Sequence, residues 1–218
     1  MAQGALPNHK NLLVEPADHA VGRSRGGLST KVHQLVDTRG LPLVVLLGPG
    51  QGGDSPMLPA LLEQLRVARI GPGRPRTTPS ALLGDKAYSS RGTRAMLRAR
   101  GITAVIAEPG DQAGHRKRRG SKGGRPPAFD THRYKDRNVV ERSYNAIKQW
   151  RALATRYDKL ALTYRAGLLI RAVVMWLQAI RRHALGVPAL PVAELSNGQL
   201  AEAATCRWLG PPRRVLQR

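Results

Sequence analysis

Residues 81–107 read ALLGDKAYSSRGTRAMLRARGITAVIA and indicate a β-strand, an α-helix and a second β-strand in direct succession. The first three residues are apolar, and Ser89 or Ser90 is the residue type that caps the start of a helix. Gly101 is expected to end that helix, and the apolar run 102–107 forms the next strand. Strands that alternate with a helix in this way predict a parallel pair joined by a crossover helix.

The sequence on either side of this unit predicts further strands and helices. Residues 30–36 and 41–47 are β-type runs that flank Asp37-Thr38-Arg39-Gly40, a combination typical of a hairpin turn. Helical periodicity marks three more segments, at about 56–68, 133–151 and 160–182. We therefore predict an α/β fold in which a mixed sheet is flanked by helices.

The charge of the chain points to a polyanionic partner. Its 218 residues include 28 Arg and 8 Lys against 14 acidic residues, which gives a net charge of +22. Self-repulsion of this size favours nucleic acid as the partner, with binding that weakens steeply as salt rises. A basic RNA- or ribosome-associated protein is an alternative that rests on charge alone.

Cysteine usage and hydropathy indicate a cytoplasmic protein, and the nucleic-acid partner expected from its charge would associate it with the nucleoid. The single cysteine, Cys206, excludes an intramolecular disulfide framework, and the first ten residues lack the apolar core of a secretory signal. The longest apolar stretch, 160–180, contains Arg165 and Arg171 and is expected to be a buried or amphipathic helix.

Asp85 is a candidate ligand for catalytic metal ions. Enzymes of the two-metal type cut phosphodiesters with two or three carboxylates that converge on a pair of divalent cations. Asp85 ends an apolar strand and precedes a capped helix, so a rigid sheet would hold its carboxylate. The alternative is an aspartate that only caps a turn.

Glu141 is the second candidate, on the predicted helix at 133–151. At 100° per residue, Tyr134, Arg137, Glu141, Asn145 and Lys148 fall on one stripe of that helix. The opposite arc is mostly apolar and comprises Val139, Val140, Ser143, Ala146, Ile147 and Trp150. The alternative is a solvated helix face with an i,i+4 ion pair between Arg137 and Glu141.

The spacing of this stripe resembles a transposase signature. Tyr134-x2-Arg137-x3-Glu141-x6-Lys148 is similar to the Y-(2)-R-(3)-E-(6)-K pattern of bacterial insertion-sequence DDE transposases. The surrounding sequence resembles the insertion sequence five family over about residues 15–180. The matching blocks are DHAVGRSRGGLSTKVH (18–33), GPGQGGDSPML (48–58), LLGDKAYSS (82–90), GGRPPAFD (123–130) and NVVERSYNAIKQWRALATRYDKLA (138–161).

This resemblance implies an RNase H-like domain with a mixed five-stranded sheet and helices on both sides. It also implies cleavage and transfer of DNA strands at transposon ends and target DNA, with two Mg2+ ions (Mn2+ as a substitute) as cofactors and double-stranded DNA as the partner. By the same resemblance, Asp85 is the second catalytic aspartate and Glu141 the catalytic glutamate. Tyr134, Arg137 and Lys148 match positions that approach the DNA backbone.

The resemblance departs from the family at the N-terminus. The family's first catalytic aspartate lies on a strand upstream of the GRSRGG block, whereas only 21 residues precede Gly22 here, and Asp18 resembles a loop residue. We therefore expect a sheet without its first strand and an unprotected edge at the Asp85 strand. The predicted organisation is an irregular N-terminal remnant (1–21), a catalytic domain (22–182) and an irregular tail (183–218).

An incomplete triad leaves two functional alternatives. The chain is either a transposase that is completed by a homo-oligomer or by the product of an upstream reading frame, or a catalytically inactive DNA-binding fragment. Two basic segments are candidate DNA contacts in either case, although both could be mobile or solvated loops. They are Arg23 and Arg25 in the glycine-rich turn, and Arg116, Lys117, Arg118 and Arg119 in a basic loop predicted at 108–130.

Overall fold

The computed structural model describes residues 19–24 and 27–185, and the backbone of a strand at 205–208. The strands are β1 (Gly22–Ser24), β2 (Gly27–Val36), β3 (Pro42–Pro49), β4 (Ala81–Gly84), β5 (Thr103–Ile106) and β6 (Thr205–Trp208). The helices are α1 (Leu58–Gln64), α2 (Arg91–Ala99), α3 (Gly110–Arg118), α4 (Thr131–Lys135), α5 (Val139–Lys148), α6 (Arg151–Thr155) and α7 (Ala161–Ala184).

The predicted hairpin is confirmed. β2 and β3 pair antiparallel from Thr30 opposite Pro49 to Val36 opposite Pro42. The Asp37 carboxylate closes the turn, because its Oδ1 accepts hydrogen bonds from the backbone N–H groups of Arg39 and Leu41, both at 2.9 Å. Gly40 adopts φ +81°, a left-handed conformation that favours glycine.

The strand–helix–strand unit is also confirmed. β4 and β5 run parallel, and α2 connects them. The Ser90 side chain caps α2 by accepting a hydrogen bond from the Thr93 N–H at 2.9 Å. Gly101 follows the helix at φ +68°, the left-handed geometry that ends helices.

The middle of the sheet is held by β6. This strand pairs parallel with β2, where Gln34 lies opposite Thr205, and antiparallel with β4, where Leu83 lies opposite Arg207. The order is β3-β2-β6-β4-β5, with β1 attached to the start of β2. Two expectations are therefore wrong: the tail at 183–218 contains a strand, and β4 is paired along both edges. Among the described strands, β6 alone connects the β2 and β4 halves of the sheet.

Helices cover both faces of this sheet. On one face, α1 and α2 pack on side chains that alternate along the strands, among them Leu35, Leu46 and Leu82. On the other face, α5, α6 and α7 pack over Val36 and Val45, the neighbours in sequence. This alternation is the two-residue period of a β-strand that is buried on both sides.

Two helical segments differ from the sequence prediction. The helix expected at 56–68 consists of a 3-10 turn at Ser55–Met57 and α1, which ends at Gln64. The helix expected at 133–151 is divided into α4, a 3-10 turn at Asp136–Asn138, and α5. A 3-10 turn has three residues per turn instead of 3.6. A helical period of 3.6 applied across α4, the 3-10 turn and α5 therefore predicts one continuous helix where the chain forms three segments.

The basic segment expected to be a loop at 108–130 is partly helical. It contains α3 and a 3-10 turn at Gly120–Gly123. Pro109 precedes the first turn of α3, Asp111 lies within that turn, and four basic residues occupy the last turn. These charges oppose the helix dipole at both ends and stabilise a helix that is otherwise poor in apolar residues.

In the described part of the chain, no helix combines the length and the apolar character that crossing a bilayer requires.

His33 on β2 is buried beside two charged side chains. Its Nδ1 lies 3.7 Å from Asp54 Oδ1, and Lys31 Nζ lies 3.2 Å from the same oxygen. Burial lowers the pKa of His33, Lys31 lowers it further, and Asp54 opposes both.

This depressed pKa predicts a loss of stability in acid. Below the ordinary histidine pKa of 6.5, the unfolded chain binds a proton at this position while folded His33 stays neutral. The free energy of unfolding should therefore fall as pH drops below 6.5, by at most about 1.4 kcal/mol per pH unit for this one proton. Urea unfolding of wild type and His33→Gln at several pH values checks this. The exposed His183→Gln is the control, and an unchanged slope in His33→Gln would contradict the prediction.

Candidate active site

Asp85 lies immediately after β4, at the start of a 3-10 turn formed by Lys86–Tyr88. Its Oδ1 accepts a hydrogen bond from the backbone N–H of Ala87, so the carboxylate caps this turn, and the side chain is half-buried. Capping occupies one face of one carboxylate oxygen. A carboxylate has about four lone-pair sites, so this role leaves capacity for a cation.

Glu141 lies in the first turn of α5, beside the side chains that precede it. The Arg137 guanidinium is 3.7 Å from Glu141 Oε1 and stacks over the Tyr134 ring at 5.4 Å. Phe129 packs edge-on against that ring, with centroids 5.0 Å apart. The Glu141 side chain is 57% exposed, so its carboxylate is accessible from solvent. The structure thus brings together the predicted Tyr134, Arg137 and Glu141, and it contains the ion pair of the alternative reading.

Asp85 and helix α5, which carries Glu141, belong to the same face of the sheet. Leu82 packs into the cluster beneath α1 and α2, so the alternation of the strand directs Leu83, and Asp85 beyond it, to the opposite face. α5 covers that face through Val139 and Val140, which pack with Val36. α4 contacts β5, while α5 and the 3-10 turn before it contact β6, and β4 lies between those two strands.

The described residues do not form a complete metal centre. Within 19–24 and 27–185, no three His, Cys, Asp or Glu side chains are grouped so that they could hold an ion. Asp18, the sole aspartate before Gly22, lies outside the described residues. The described part of the chain therefore supplies two candidate carboxylates, Asp85 and Glu141, and no third that groups with them.

Two buried polar side chains that the sequence analysis did not identify lie on this same face. Gln34 is fully buried on β2, and neither atom of its amide has a hydrogen-bond partner among the described residues. The Ser143 hydroxyl on α5 is buried and likewise unpaired within that part of the chain. Gln34 lies opposite Thr205, and the β6–β4 register, continued one residue past Gly84, sets Asp85 level with Thr205 as well. A single strand, β6, thus lies between Gln34 and Asp85 in the sheet.

The candidate DNA-contact residues differ in accessibility. Arg116 forms an ion pair with Glu108 and is largely shielded. Its neighbours Lys117, Arg118 and Arg119 are exposed, although Arg118 also contacts His115. Arg23 is exposed on β1, whereas Arg25 lies outside the described residues. Lys148 ends α5, and partial desolvation lowers the pKa of its ammonium group.

Arg171 is a buried cation that holds the end of α5. Its guanidinium donates to the Ala146 carbonyl at 3.0 and 2.8 Å and to Gln149 Oε1 at 3.0 Å, and it stacks over Trp150. Burial lowers its pKa. In the sequence it only interrupts an apolar run, and no local signal marks it as a helix cap from another element.

Comparison with known proteins identifies the family of the chain. The family model described as the transposase DDE domain matches residues 9–177. The chain therefore belongs to the transposase DDE domain family, whose members are enzymes that cleave and transfer DNA and generally use a divalent metal.

Curated relatives match over similar lengths. The chain is 28% identical over 153 residues to a protein of Brucella ovis, the putative transposase for insertion sequence element IS6501; this covers 69% of the chain and 100% of that protein. It is 29% identical over 160 residues to a protein of Burkholderia cepacia, the putative transposase for insertion sequence element IS402; this covers 73% of the chain and 67% of that protein. No solved structure gives a significant match.

Proposed function

We propose that this chain binds the double-stranded DNA of insertion-sequence ends and target sites and takes part in metal-dependent strand cleavage and transfer. Residues 22–182 would be the catalytic domain, with RNase H-like architecture, at work on the nucleoid in the cytoplasm. The observation that carries the proposal is that Asp85 follows β4 on the sheet face over which α5, the helix that bears Glu141, packs. The net charge of +22 supports DNA as the partner.

The donor set fits a hard divalent cation. Asp85 and Glu141 offer carboxylate oxygens, which Mg2+ and Mn2+ prefer, and both side chains are at least partly accessible. These two residues would hold the metal as part of a ligand set. When bound, the metal would activate the attacking hydroxyl and neutralise charge on the phosphodiester.

The cations around Glu141 would position the phosphodiester. Arg137 carries a planar guanidinium that suits phosphate geometry, and the Tyr134 ring stacks against that guanidinium. Lys148 lies two turns further along α5 and adds positive charge on the DNA side. Because Glu141 is itself paired with Arg137 at 3.7 Å, phosphate binding would draw the guanidinium away and free the carboxylate for the metal.

A second function is favoured by one specific observation. No third potential metal ligand joins Asp85 and Glu141 among the described residues. The chain would then bind DNA without cutting it, and would compete with or complement a complete transposase. A second copy of the chain or the product of an upstream reading frame would supply the missing carboxylate.

Strand cleavage tests the two functions against each other. The purified chain is incubated with a labelled duplex of the DNA that flanks its reading frame, with Mg2+, Mn2+ or EDTA. Cutting that requires metal supports the catalytic proposal. Salt-sensitive binding without cutting supports the DNA-binding fragment, and the absence of binding refutes both.

The exposed arginines after α3 should contribute to DNA affinity. We expect the double variant Arg118→Gln/Arg119→Gln to reduce the slope of log Kobs against log salt by about 2, since each lost phosphate contact removes about 0.9. Fluorescence anisotropy across a salt series measures this. Arg181→Gln/Arg182→Gln, a matched arginine pair at the end of α7, serves as the control. Equal slopes for the two double variants would remove Arg118 and Arg119 from the interface.

A further inference from the structure

Helix α7 has a second apolar face that packs against nothing in the described structure. Its inner face is buried on β3 and α5 and includes Tyr164, Leu168 and Met175. The opposite side carries exposed large apolar residues, which we call the outer stripe: Leu162, Leu169, Ile170, Val173, Leu177 and Ile180. At 100° per residue these six fall within an arc of about 100°, and Ala166 and Ala184 are the only other residues of α7 in that arc. The arc contains no polar side chain.

The exposed area is large for a surface with no partner. Residues of the outer stripe are 43% to 77% exposed. At on the order of 100 Å² each they present about 600 Å² of apolar surface, the upper end of what isolated chains show. Two such surfaces together bury about 1,200 Å², the lower bound of a specific stable interface. A helix that is apolar on both sides is typical of burial on both sides.

The outer stripe is complementary to itself when two copies run antiparallel. With the two-fold axis at Val173, Leu162 lies opposite Ala184 of the second copy, Ala166 opposite Ile180, and Leu169 opposite Leu177. Small residues meet large ones at both ends, and residues of similar size meet in the middle, which is the arrangement that packs without voids. An isologous contact of this kind closes after two subunits.

Charge favours the same orientation. The last turn of α7 carries Arg181, Arg182 and His183. In an antiparallel pair the two Arg182 positions are about 27 Å apart along the axis, well beyond the Debye length of about 10 Å. A parallel pair would set the two basic clusters side by side. We propose that the outer stripe of α7 forms an antiparallel homodimer interface, independently of the DNA chemistry.

Sedimentation equilibrium of the full chain tests the interface. Wild type sediments as a dimer, and Val173→Glu weakens the dimer about 100-fold or more, because two unpaired carboxylates would meet on the axis. Gln178→Glu is the matched control: it adds the same charge at an exposed position of α7 outside the stripe, and it leaves the dimer intact. A monomeric wild type at tens of micromolar overturns the proposal. So does a dimer that Val173→Glu and Gln178→Glu affect equally.

Cysteine cross-linking tests the orientation without disturbing the interface. In a Cys206→Ser background, Val173→Cys is expected to form an intermolecular disulfide on the two-fold axis under mild oxidation. Leu162→Cys in the same background is not, because its two copies would be about 33 Å apart along the axis. Cross-linking at both positions would indicate a parallel pair and overturn the antiparallel proposal. Cross-linking at neither would overturn the interface itself.

Discussion

Replacement of Glu141 by Gln is expected to lower metal-dependent cleavage of a transposon-end duplex by about 100- to 1,000-fold. The change keeps the shape of the side chain and removes the negative charge that would hold a cation. It also ends the contact with Arg137 at 3.7 Å, but a half-exposed pair of this kind contributes at most about 1 kcal/mol to stability. The fold should therefore survive while the chemistry is lost.

Glu63→Gln is the matched control for this variant. Glu63 on α1 is 68% exposed and lies 3.8 Å from Arg100, so the same replacement removes a comparable surface pair away from the candidate site. Calorimetric binding of Mn2+ gives a second readout that does not depend on cleavage. We expect Glu141→Gln to weaken it about 10- to 100-fold and Glu63→Gln to leave it unchanged. Equal cleavage and equal Mn2+ affinity in both variants would exclude Glu141 as a ligand.

Replacement of Arg171 by Met is expected to lower the free energy of unfolding by about 2 to 4 kcal/mol. The variant keeps much of the buried volume but leaves the Ala146 carbonyl and the Gln149 amide without their donor. It also removes the stacking of the guanidinium over Trp150. Because these groups end α5, amide hydrogen exchange should accelerate first in the last turn of that helix.

Urea unfolding and hydrogen exchange measure these effects, with Arg182→Met as the control. Arg182 lies on the same helix but is exposed, so its replacement should change stability by no more than about 0.5 kcal/mol. Arg171→Lys should fall between the two, since an ammonium group keeps the charge but loses the planar fork. A stability for Arg171→Met equal to that of Arg182→Met would contradict the capping role.

Local signals in the sequence predicted the parts of the fold that depend on neighbouring residues. The turn at Asp37–Gly40 and the cap at Ser90 lie beside the segments that they organise, and the structure confirms both. The same holds for the contacts between Tyr134, Arg137 and Glu141, because residues three and four apart meet on a helix surface.

Features that depend on distant contacts could not be predicted in this way. The burial of Gln34 depends on elements far away in the sequence, and β6 carries no strand signal strong enough to mark it. In the sequence Arg171 only interrupts an apolar run, whereas its partner carbonyl lies 25 residues earlier. In the candidate site, periodicity identified the Glu141 stripe, whereas the expectation of an incomplete set of carboxylates came from the family resemblance alone; among the described residues no third ligand groups with the two.

The central position of β6 affects how the protein is made. Gly84 is synthesised roughly 120 residues before Thr205, which corresponds to roughly 6 to 24 s at ordinary rates of translation. Throughout that interval the β2–β3 hairpin and the β4–α2–β5 unit lack the strand that pairs with both of them, and each has an open strand edge. Open edges accept any extended segment that reaches them. Until β6 is made, these edges of the nascent chain are therefore open to pairing with a neighbouring polypeptide.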